Sequence, residues 1–299
     1  MNMKKMISVL SLTLGLFVSA GLVACGGDGD DSGSSGQKSY DSGSFDFSAK
    51  NSDGITIYYN VLNEEEAEVT YASRGNNGNL GYENIRSIRI PSTANNNGRT
   101  LRVTRIGKEA FQTTKSIPES ITIPNSITSI GEGGLGFADK IIIPDIAAWC
   151  NIKFESAPLY MAGGGRHIYS NDNTQITSLT IPSGVTEITD EAFEGCESIM
   201  EISLPSTLKK IGKSVFRGCS ITAITIPASV KEIGYFAFET NTLLTLKSLM
   251  EDHIPFGISL GSIFSDKTFK NGILYFPKGT ISKYKDTPGW RNFLYIEEK

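Results

Sequence analysis

The residue types that most often carry out catalysis or bind metal ions are scarce in this chain. Its 299 residues include two histidines and four cysteines, and His167 and His253 lie far apart, without the spacing of a metal-ligand motif. Acidic residues are plentiful, but pairs such as Glu297 and Glu298 are expected at chain ends and turns. No substrate cleft is predicted there, so the sequence does not support a glycosidase site. The composition therefore predicts no catalytic residue, no metal ligand and no enzymatic activity.

Three glycine-containing stretches match parts of nucleotide-binding motifs. The string from Gly131 to Gly136 has the dinucleotide-binding spacing, but that motif needs a βαβ unit around it, and Gly131 instead falls on a recurring turn position. Stretches 212–214 and 261–268 resemble phosphate-binding loops, yet Thr207 and Asp266 stand where those loops require glycine. No nucleotide or other cofactor is therefore predicted.

Cys25 has a sequence setting that predicts a covalent modification. Residues 1–24 begin with two lysines, continue as an apolar run and end in Leu22, Val23 and Ala24. This order resembles the lipobox of bacterial lipoproteins, in which the cysteine receives a diacylglyceryl thioether and becomes the first residue after cleavage. The alternative is a membrane span, for which the apolar run is barely long enough.

The residues after Cys25 have the composition of a flexible tether. Gly26 to Asp31 are glycine and aspartate, and a run rich in serine and glycine continues to Ser44, so stretch 25–44 has nothing to pack. Acidic residues directly behind an acylated cysteine resemble the export signal of outer-face lipoproteins in anaerobic gut and oral bacteria. The sequence thus predicts an outer-membrane, cell-surface protein held by its lipid alone, the alternative being that the acidic cluster is only a solvated linker.

The rest of the chain is an internal repeat. Its first element is apolar-x-apolar-Pro, as in Ile202 to Pro205, and this alternation is typical of a half-buried strand that a proline ends. The prolines are Pro91, Pro124, Pro144, Pro182, Pro205, Pro227 and, more distantly, Pro277. The best-spaced units are 23 and 22 residues long. Because so short a unit cannot bury its apolar face alone, the units are expected to stack as coils of a solenoid.

A second element follows the first with the same period, and consists of an Ile-Gly turn and a large apolar residue. The turn residues are Gly107, Gly131, Thr189, Gly212 and Gly234, and the apolar residues are Phe111, Leu135, Phe193, Phe216 and Phe238. We expect the turn glycines to adopt a backbone conformation that other residues resist. The four phenylalanines are expected to form one interior stack, because they share a repeat position.

These motifs resemble the BspA-type leucine-rich repeat of bacterial cell-surface proteins over nearly all of residues 80–240. Phe193 to Cys196 and Phe216 to Cys219 have the Phe-x-Gly-Cys sequence found in that family, and Tyr275 to Gly279 opens a similar terminal segment. The resemblance implies a leucine-rich repeat solenoid of right-handed stacked coils, with short strands, turns and short helices. It also implies a role in adhesion to host matrix proteins or to other cells.

The remaining cysteines are predicted to be thiols. Cys196 and Cys219 share a repeat position on neighbouring coils. The expected distance between their Cα atoms is short enough for a disulfide bond. Equivalent side chains of parallel coils point the same way, however, which strains the disulfide torsion. With Cys25 acylated, Cys150 makes the number of remaining cysteines odd, which no disulfide framework satisfies.

The repeat divides the chain into predicted parts. The signal peptide (1–24) and the tether (25–44) precede a leucine-rich repeat domain at 45–299, which has an N-terminal hairpin cap at 45–86, repeats at 87–246 and a C-terminal cap at 247–299. Residues 145–177 interrupt the period as an insertion, predicted to hold a short helix and a hairpin. Caps of this kind hide the exposed edges of a solenoid.

The charge balance does not favour a nucleic-acid partner. The chain has 28 basic and 32 acidic residues, which give a net charge of −4, and nucleic-acid surfaces are strongly basic. Five basic side chains on adjacent coils are Lys209, Lys210, Lys213, Arg217 and Lys231. They form either a basic patch or an ordinary solvated face.

The outward positions of the first strands provide a candidate contact row. Coil stacking at about 4.8 Å is expected to align them: Arg89, Thr122, Ile142, Thr180, Ser203, Thr225 and Tyr275. The predicted function is binding of an extracellular protein or polymer by this row, although outward threonine suits any strand. The alternatives are a glycan-binding lipoprotein that assists polysaccharide capture and an enzyme with a site in 145–177 near Asp145 or His167. The sequence identifies neither the ligand nor the oligomeric state.

Overall fold

The structure is a computed structural model that describes most of the predicted repeat domain. The described residues are 45–73, 81–82, 84–112, 118–158, 167–250 and 263–299. The predicted signal peptide and tether, with Cys25, lie outside the described residues, as does His253. The described residues form a β-solenoid of about seven turns, which confirms the predicted class of fold.

The strands are short throughout. The first six are β1 (Phe47–Lys50), β2 (Thr56–Val61), β3 (Glu66–Thr70), β4 (Ser87–Arg89), β5 (Thr93–Asn96) and β6 (Arg99–Ile106). The next seven are β7 (Ser120–Thr122), β8 (Ser129–Ile130), β9 (Lys140–Ile142), β10 (Lys153–Phe154), β11 (His167–Tyr169), β12 (Ser178–Thr180) and β13 (Glu187–Ile188). The last seven are β14 (Glu201–Ser203), β15 (Lys210–Ile211), β16 (Ala223–Ile226), β17 (Glu232–Ile233), β18 (Thr245–Ser248), β19 (Ile273–Phe276) and β20 (Tyr295–Glu298).

Helices are few and short in the described stretches. They are α1 (Ile146–Trp149), α2 (Asp266–Asn271), α3 (Ile281–Lys285) and a 3₁₀ turn at Trp290–Asn292. None of the helices in the described part of the chain has the length and apolar character that crossing a membrane demands. The fold is therefore carried by strand pairing between coils.

Each regular coil contributes two strands that belong to different parallel sheets. The first strand, apolar-x-apolar, pairs with its counterparts in the orders β4–β7–β9–β11, β12–β14 and β16–β18–β19–β20. The second strand, before the turn glycine, pairs in β6–β8–β10 and β13–β15–β17. Equivalent repeat residues lie opposite each other, as Ile88, Ile121 and Ile141 do. The period of the sequence therefore sets the register of the sheets.

A stack of phenylalanine rings fills the interior of the later coils. The ring centroids are 5.8 Å apart between Phe193 and Phe216, 5.6 Å between Phe216 and Phe238, and 5.8 Å between Phe238 and Phe264. The prediction that Phe111 belongs to this stack was wrong, because its ring packs against Tyr82 at 4.9 Å. Leucine takes the equivalent position in the next coil, so a column of rings cannot continue from Phe111.

The turn glycines are required by the close approach of neighbouring coils rather than by their own backbone angles. A Cβ atom on Gly234 would lie 2.4 Å from the backbone nitrogen of Lys213, and one on Gly131 would lie 2.6 Å from that of Lys108. The left-handed conformation expected at the glycines occurs two residues later, at Glu109, Gly133, Glu191, Ser214 and Phe236, with φ between 54° and 64°. The predicted position of these glycines was therefore right and the predicted cause was wrong.

Thr189 replaces the turn glycine at a site where its side chain has a hydrogen-bond partner. Its hydroxyl donates to the carbonyl oxygen of Ile152 at 2.8 Å, and its backbone N–H donates to the carbonyl oxygen of Cys150 at 3.0 Å. The preceding coil here is the 145–177 segment. The substitution thus bonds this segment to the regular repeats.

The 145–177 segment interrupts the sequence period, yet it contributes one strand to the sheet that contains β8 and one to the sheet that contains β9. Asp145 caps α1, because its side chain accepts a hydrogen bond from the Ala148 N–H. Strand β10 then pairs in parallel with β8, and β11 pairs in parallel with β9. A tight turn follows, in which the Ser170 N–H donates to the Thr174 carbonyl at 2.9 Å.

The two ends of the domain differ in how they join the coils. Strands β1, β2 and β3 pair antiparallel, and β3 pairs in parallel with β6. At the other end β18, β19 and β20 continue one sheet in parallel. Helices α2 and α3 lie in this C-terminal part, before and after β19.

Candidate functional site

The predicted contact row is divided among three sheets, and its first part has little free surface. Arg89 lies opposite Thr122, Thr122 opposite Ile142, and Ile142 opposite Tyr169. Thr122 is only 8% exposed, and the exposed Arg89 side chain faces Asp53 at 3.5 Å. This sheet therefore brings the predicted residues together without leaving a hydroxyl group available to a partner.

The second part of the row is a pair of hydroxyl groups. Thr180 and Ser203 lie opposite each other in the two-stranded sheet β12–β14, and both are exposed. Within the described residues, this sheet consists of these two strands alone. Thr180 and Ser203 consequently form a small patch rather than part of a continuous row.

The third part is the longest, and we call it the C-terminal face. It consists of the outward residues of β16, β18, β19 and β20, which form one row of Ala223, Thr245, Ile273 and Tyr295 and a second row of Thr225, Lys247, Tyr275 and Glu297. Alternate residues of these strands, such as Leu246 and Leu274, are buried in the core. The predicted residues Thr225 and Tyr275 belong to this face.

Apolar and aromatic side chains make the C-terminal face unusual for a solvated sheet. Tyr295 on the first row is 56% exposed, and Leu244 and Leu294, which immediately precede β18 and β20 at the edge of the face, are 49% and 68% exposed. Ile273, which lies opposite Tyr295, is half-buried on the same row. Side chains of this kind form the centre of protein–protein interfaces, where aromatic and apolar residues are enriched and the rim is polar.

Two lysines flank Tyr275 on this face. Lys247 lies directly opposite Tyr275 in the ladder, and the Lys299 nitrogen stands 3.6 Å above the centre of the Tyr275 ring. No acidic side chain of the described residues lies within ion-pair distance of either ammonium group. Within the described residues neither charge is neutralised by an acid, and Glu297 is the acidic member of the row.

The five basic residues singled out in the sequence are arranged differently. Lys210 lies 3.0 Å from Glu187 and 3.7 Å from Glu232, and the Arg217 guanidinium contacts Glu194 at 3.3 Å and Glu239 at 2.6 Å. Lys213 pairs with Glu191 at 3.4 Å. Three of the five are thus neutralised by acids of adjacent coils, which favours the solvated-face interpretation over a basic patch.

The cysteines of the described coils are core residues. Cys150, Cys196 and Cys219 are buried free thiols. Burial raises the pKa of the Cys150 thiol to about 12 and raises that of Cys219 well above its ordinary value. Since the thiolate is the reactive form, these residues are poor nucleophiles and serve to fill space.

The part of the 145–177 segment that the structure describes does not assemble a reactive cluster. Asp145 is engaged as the cap of α1, and His167 is a half-buried strand residue beside Lys140 of β9. Across the described ranges, no three His, Cys, Asp or Glu side chains are grouped closely enough to hold a metal ion. These placements give no support to a catalytic site near Asp145 or His167.

A polar groove of about 580 Å³ lies beside helix α2. It is lined by Glu239, Asn241, Phe264, Ser265, Asp266, Lys267, Lys270 and Asn271. Phe264 is almost fully buried, and the other lining side chains carry amide, carboxylate, hydroxyl or ammonium groups next to the apolar parts of their chains. This chemistry suits a polar ligand such as a saccharide.

The class of protein defined by this architecture is a parallel solenoid of leucine-rich repeat coils. The model of the BspA type leucine rich repeat region matches six copies, over residues 80–147 and 165–271. Because this match covers more than half of the sequence, the chain belongs to that family. Proteins of this family are typically binding proteins without enzymatic activity.

Solved structures with a similar chain path come from several bacteria. A leucine rich cell surface protein from Faecalibacterium prausnitzii is 20% identical, with a TM-score of 0.44 and coverage of 77% of this chain and 70% of that one. A leucine-rich repeat protein from Bacteroides ovatus is 22% identical, with a TM-score of 0.35 and coverage of 73% and 54%. The leucine rich repeat protein of T. pallidum is 19% identical, with a TM-score of 0.31 and coverage of 85% and 95%. No curated protein matches the sequence.

Sequence reasoning missed most of the C-terminal face. Lys247 and Glu297 were not placed in the contact row, because their strands lack the apolar-x-apolar-Pro signal and the residues after 246 were assigned to a cap. Tyr169 was missed for a similar reason, since it lies in the segment that interrupts the period. A search for alternating residues around Lys247 and Tyr295 alone would have found the strands but not their partners.

Proposed function

We propose that this protein is a lipid-anchored, cell-surface binding module that holds a partner protein on its C-terminal face. The observation that supports this proposal is the combination, on and directly beside one continuous four-stranded sheet, of exposed Tyr295 and the adjacent Leu294 with Lys247 and Lys299, which have no acidic partner among the described residues. Contiguous exposed apolar surface with a polar rim is typical of a protein interaction site. A broad sheet face also suits a protein better than it suits a small substrate.

The rigid scaffold contributes to this role. A solenoid side that is built from parallel strands keeps its outward side chains at fixed spacings, so a partner meets a surface that needs little ordering on binding. The core rings behind the face, such as Phe264 and Phe276, are almost fully buried. Binding energy is therefore not spent on folding the site.

A screen of the full-length protein against a panel of matrix proteins and a glycan array tests the binding proposal. The matched variants are Tyr275→Ala with Tyr295→Ala on the face, and Met200→Ala on another coil, where Met200 is similarly exposed at 53%. We expect a protein partner whose affinity falls roughly tenfold or more in the face variant and is unchanged in the control. Equal affinity for all three proteins would refute the assignment of the face.

The anchor part of the proposal rests on the sequence around Cys25. A diacylated or triacylated cysteine binds a bilayer stably, whereas a single chain binds marginally. Labelling cells with a clickable fatty acid is expected to mark the wild-type protein and not a Cys25→Ser variant. A variant that stays labelled and sediments with membranes would contradict the anchor, and surface exposure is measured separately by protease treatment of whole cells.

The groove beside α2 favours a second candidate function, capture of a glycan. Its amide and charged groups are the kinds that hydrogen-bond sugar hydroxyls, and its volume is within the range of ligand sites. An Asn241→Ala and Asn271→Ala double variant is the test. Loss of a signal on the glycan array in that variant, with no loss in the Tyr275 and Tyr295 variant, would support this function instead.

A further inference from the structure

We propose that the segment captured on the C-terminal face is acidic and amphipathic, with its carboxylates directed at Lys247 and Lys299. This inference rests on the proposed protein-binding function and adds the chemistry of the partner. The two lysines stand on either side of Tyr275 without an acidic side chain of the described residues within reach. Ammonium groups that no acid neutralises attract an anionic partner through charge complementarity.

The charge distribution along the chain also favours a negatively charged partner. Residues 45–239 carry 17 basic and 22 acidic side chains, whereas residues 240–299 carry eight basic and six acidic ones. In the coils before Glu239, several of the basic groups are occupied, as Lys210, Lys213 and Arg217 show. The net charge is therefore −5 over residues 45–239 and +2 over residues 240–299, so the later residues are the more favourable ones for an acidic segment.

The two rows of the face define the shape of the segment. The row that contains Ile273 and Tyr295 and the row that contains Lys247, Tyr275 and Glu297 lie about 6.8 Å apart, since outward residues of a strand recur every second position. Lys299 follows the end of β20, and its ammonium group lies over the Tyr275 ring of the second row. A segment running along the solenoid axis touches both rows at once. It must present apolar side chains along one edge and carboxylates along the other.

A protein segment fits these rows better than a sulfated or uronic glycan does. Exposed Leu294 and Leu244 gain from contact with apolar side chains and gain nothing from sugar hydroxyls. A polyanion without apolar groups would use the lysines and leave the apolar row exposed. The dependence of binding on Leu294 and Tyr295 consequently separates the two classes of partner.

Fluorescence anisotropy with the full-length protein in detergent tests the inference. The probes are a labelled 12-residue peptide alternating glutamate with leucine and tyrosine, the same peptide with lysine in place of glutamate, and labelled heparin. We expect the acidic peptide to bind, to weaken as sodium chloride is raised, and to lose affinity roughly tenfold in a Lys247→Glu and Lys299→Glu variant. The matched control is Lys231→Glu, because Lys231 is an exposed lysine on another coil that also lacks an ion-pair partner.

The apolar row is tested independently with Leu294→Ser and Tyr295→Ser, which change exposed side chains. We expect these variants to weaken the acidic peptide and to leave heparin binding unchanged. Equal binding of the lysine peptide, no binding of the acidic peptide, or heparin binding that matches the peptide in all variants would each overturn the inference. If the partner screen still detects a protein that depends on Tyr275 and Tyr295, the proposed function stands while the acidic-segment inference fails.

Discussion

The regular coils at 178–239 and the last coils at 245–298 use the same strand geometry for different purposes. In the regular coils the outward charges of one coil meet opposite charges of the next, as Glu187, Lys210 and Glu232 do. In the last coils the outward positions hold Lys247 and Tyr295 without such partners. The regular coils thus pair several of their surface charges between coils, whereas Lys247 of the last coils has no ion-pair partner among the described residues.

The interiors of the two regions differ in a parallel way. The regular coils repeat one ring at one position, and the last coils pack rings at varied angles around Phe264, Trp290 and Phe293. Ring pairs in both arrangements bury large areas and contribute beyond their area. The comparison therefore predicts that both interiors are sensitive to truncation, while the two surfaces respond differently.

The largest expected effect is the loss of a ring from the regular stack. Phe216 is fully buried between Phe193 and Phe238, so Phe216→Ala is expected to lower the free energy of unfolding by about 3–5 kcal/mol. Tyr295→Ala, on the C-terminal face, is expected to change it by less than about 0.5 kcal/mol. Urea denaturation of both variants checks the contrast, and similar losses for the two would break it.

The next effect concerns the approach of the coils. Gly234→Ala places a Cβ atom 2.4 Å from the Lys213 backbone nitrogen, and such overpacking is expected to cost about 1–3 kcal/mol. Thr189→Ala is the control at the same repeat position, where a Cβ is already present and one hydroxyl hydrogen bond is lost. A Gly234→Ala protein as stable as the wild type would show that the coils can separate without cost.

A smaller effect is expected from pH. Burial raises the pKa of Glu194 above its ordinary value of 4.5, the Glu191 carboxylate raises it further, and Arg217 lowers it in part. Because the folded state holds this proton to higher pH than the unfolded chain, the contribution of Glu194 to stability is complete below pH 4.5. That contribution is lost as the pH rises through the raised pKa.

Glu194→Gln keeps the neutral form at every pH and tests this sign. The free energy of unfolding of the variant, relative to wild type, is expected to increase between about pH 4.5 and pH 7. Glu297→Gln on the C-terminal face provides the comparison with an exposed carboxylate of the last coils. Parallel pH profiles for wild type and Glu194→Gln would contradict the expected shift.

The smallest effect separates the paired surface from the unpaired one. Lys210→Ala removes an exposed ion-pair network and is expected to cost about 0.5 kcal/mol at low salt and less in about 1 M sodium chloride. Lys247→Ala removes a charge that has no partner among the described residues, so no salt-dependent loss of stability is expected. A loss at Lys247 equal to that at Lys210 would remove the distinction between the two surfaces.

The sequence predicted the regular coils well because their signals are local and repeated. Proline ends each first strand and glycine marks the closest approach of the coils, so the register of Ile202 and its counterparts follows from the period alone. The family match confirms this assignment. The reason why glycine is required at these positions was harder to predict from the sequence. At Gly234 a Cβ atom would clash with the Lys213 backbone of another coil, and the sequence pattern does not show this contact.

The last coils and the candidate site were predicted only in part. Tyr275 was recognised through its proline motif, but Lys247 and Glu297 face it from strands that lack the motif. The break in the ring stack at Phe111 depended on which residue the next coil supplied and on Tyr82 from the N-terminal region. Contacts between elements that do not share the period are set by tertiary packing, which a repeat pattern does not record.

The two tryptophans provide the domain with intrinsic fluorescence probes at two separate places. Trp149 is buried in the 145–177 segment, where its indole N–H donates to the Ala192 carbonyl, and Trp290 is buried among the rings of the last coils. In a solenoid, in which each coil is stabilised mainly by its neighbours, the middle coils and the last coils can unfold at different denaturant concentrations. Variants that keep only one tryptophan would therefore report the unfolding of each part separately, as a shift of the fluorescence emission maximum to longer wavelength. No added label is needed.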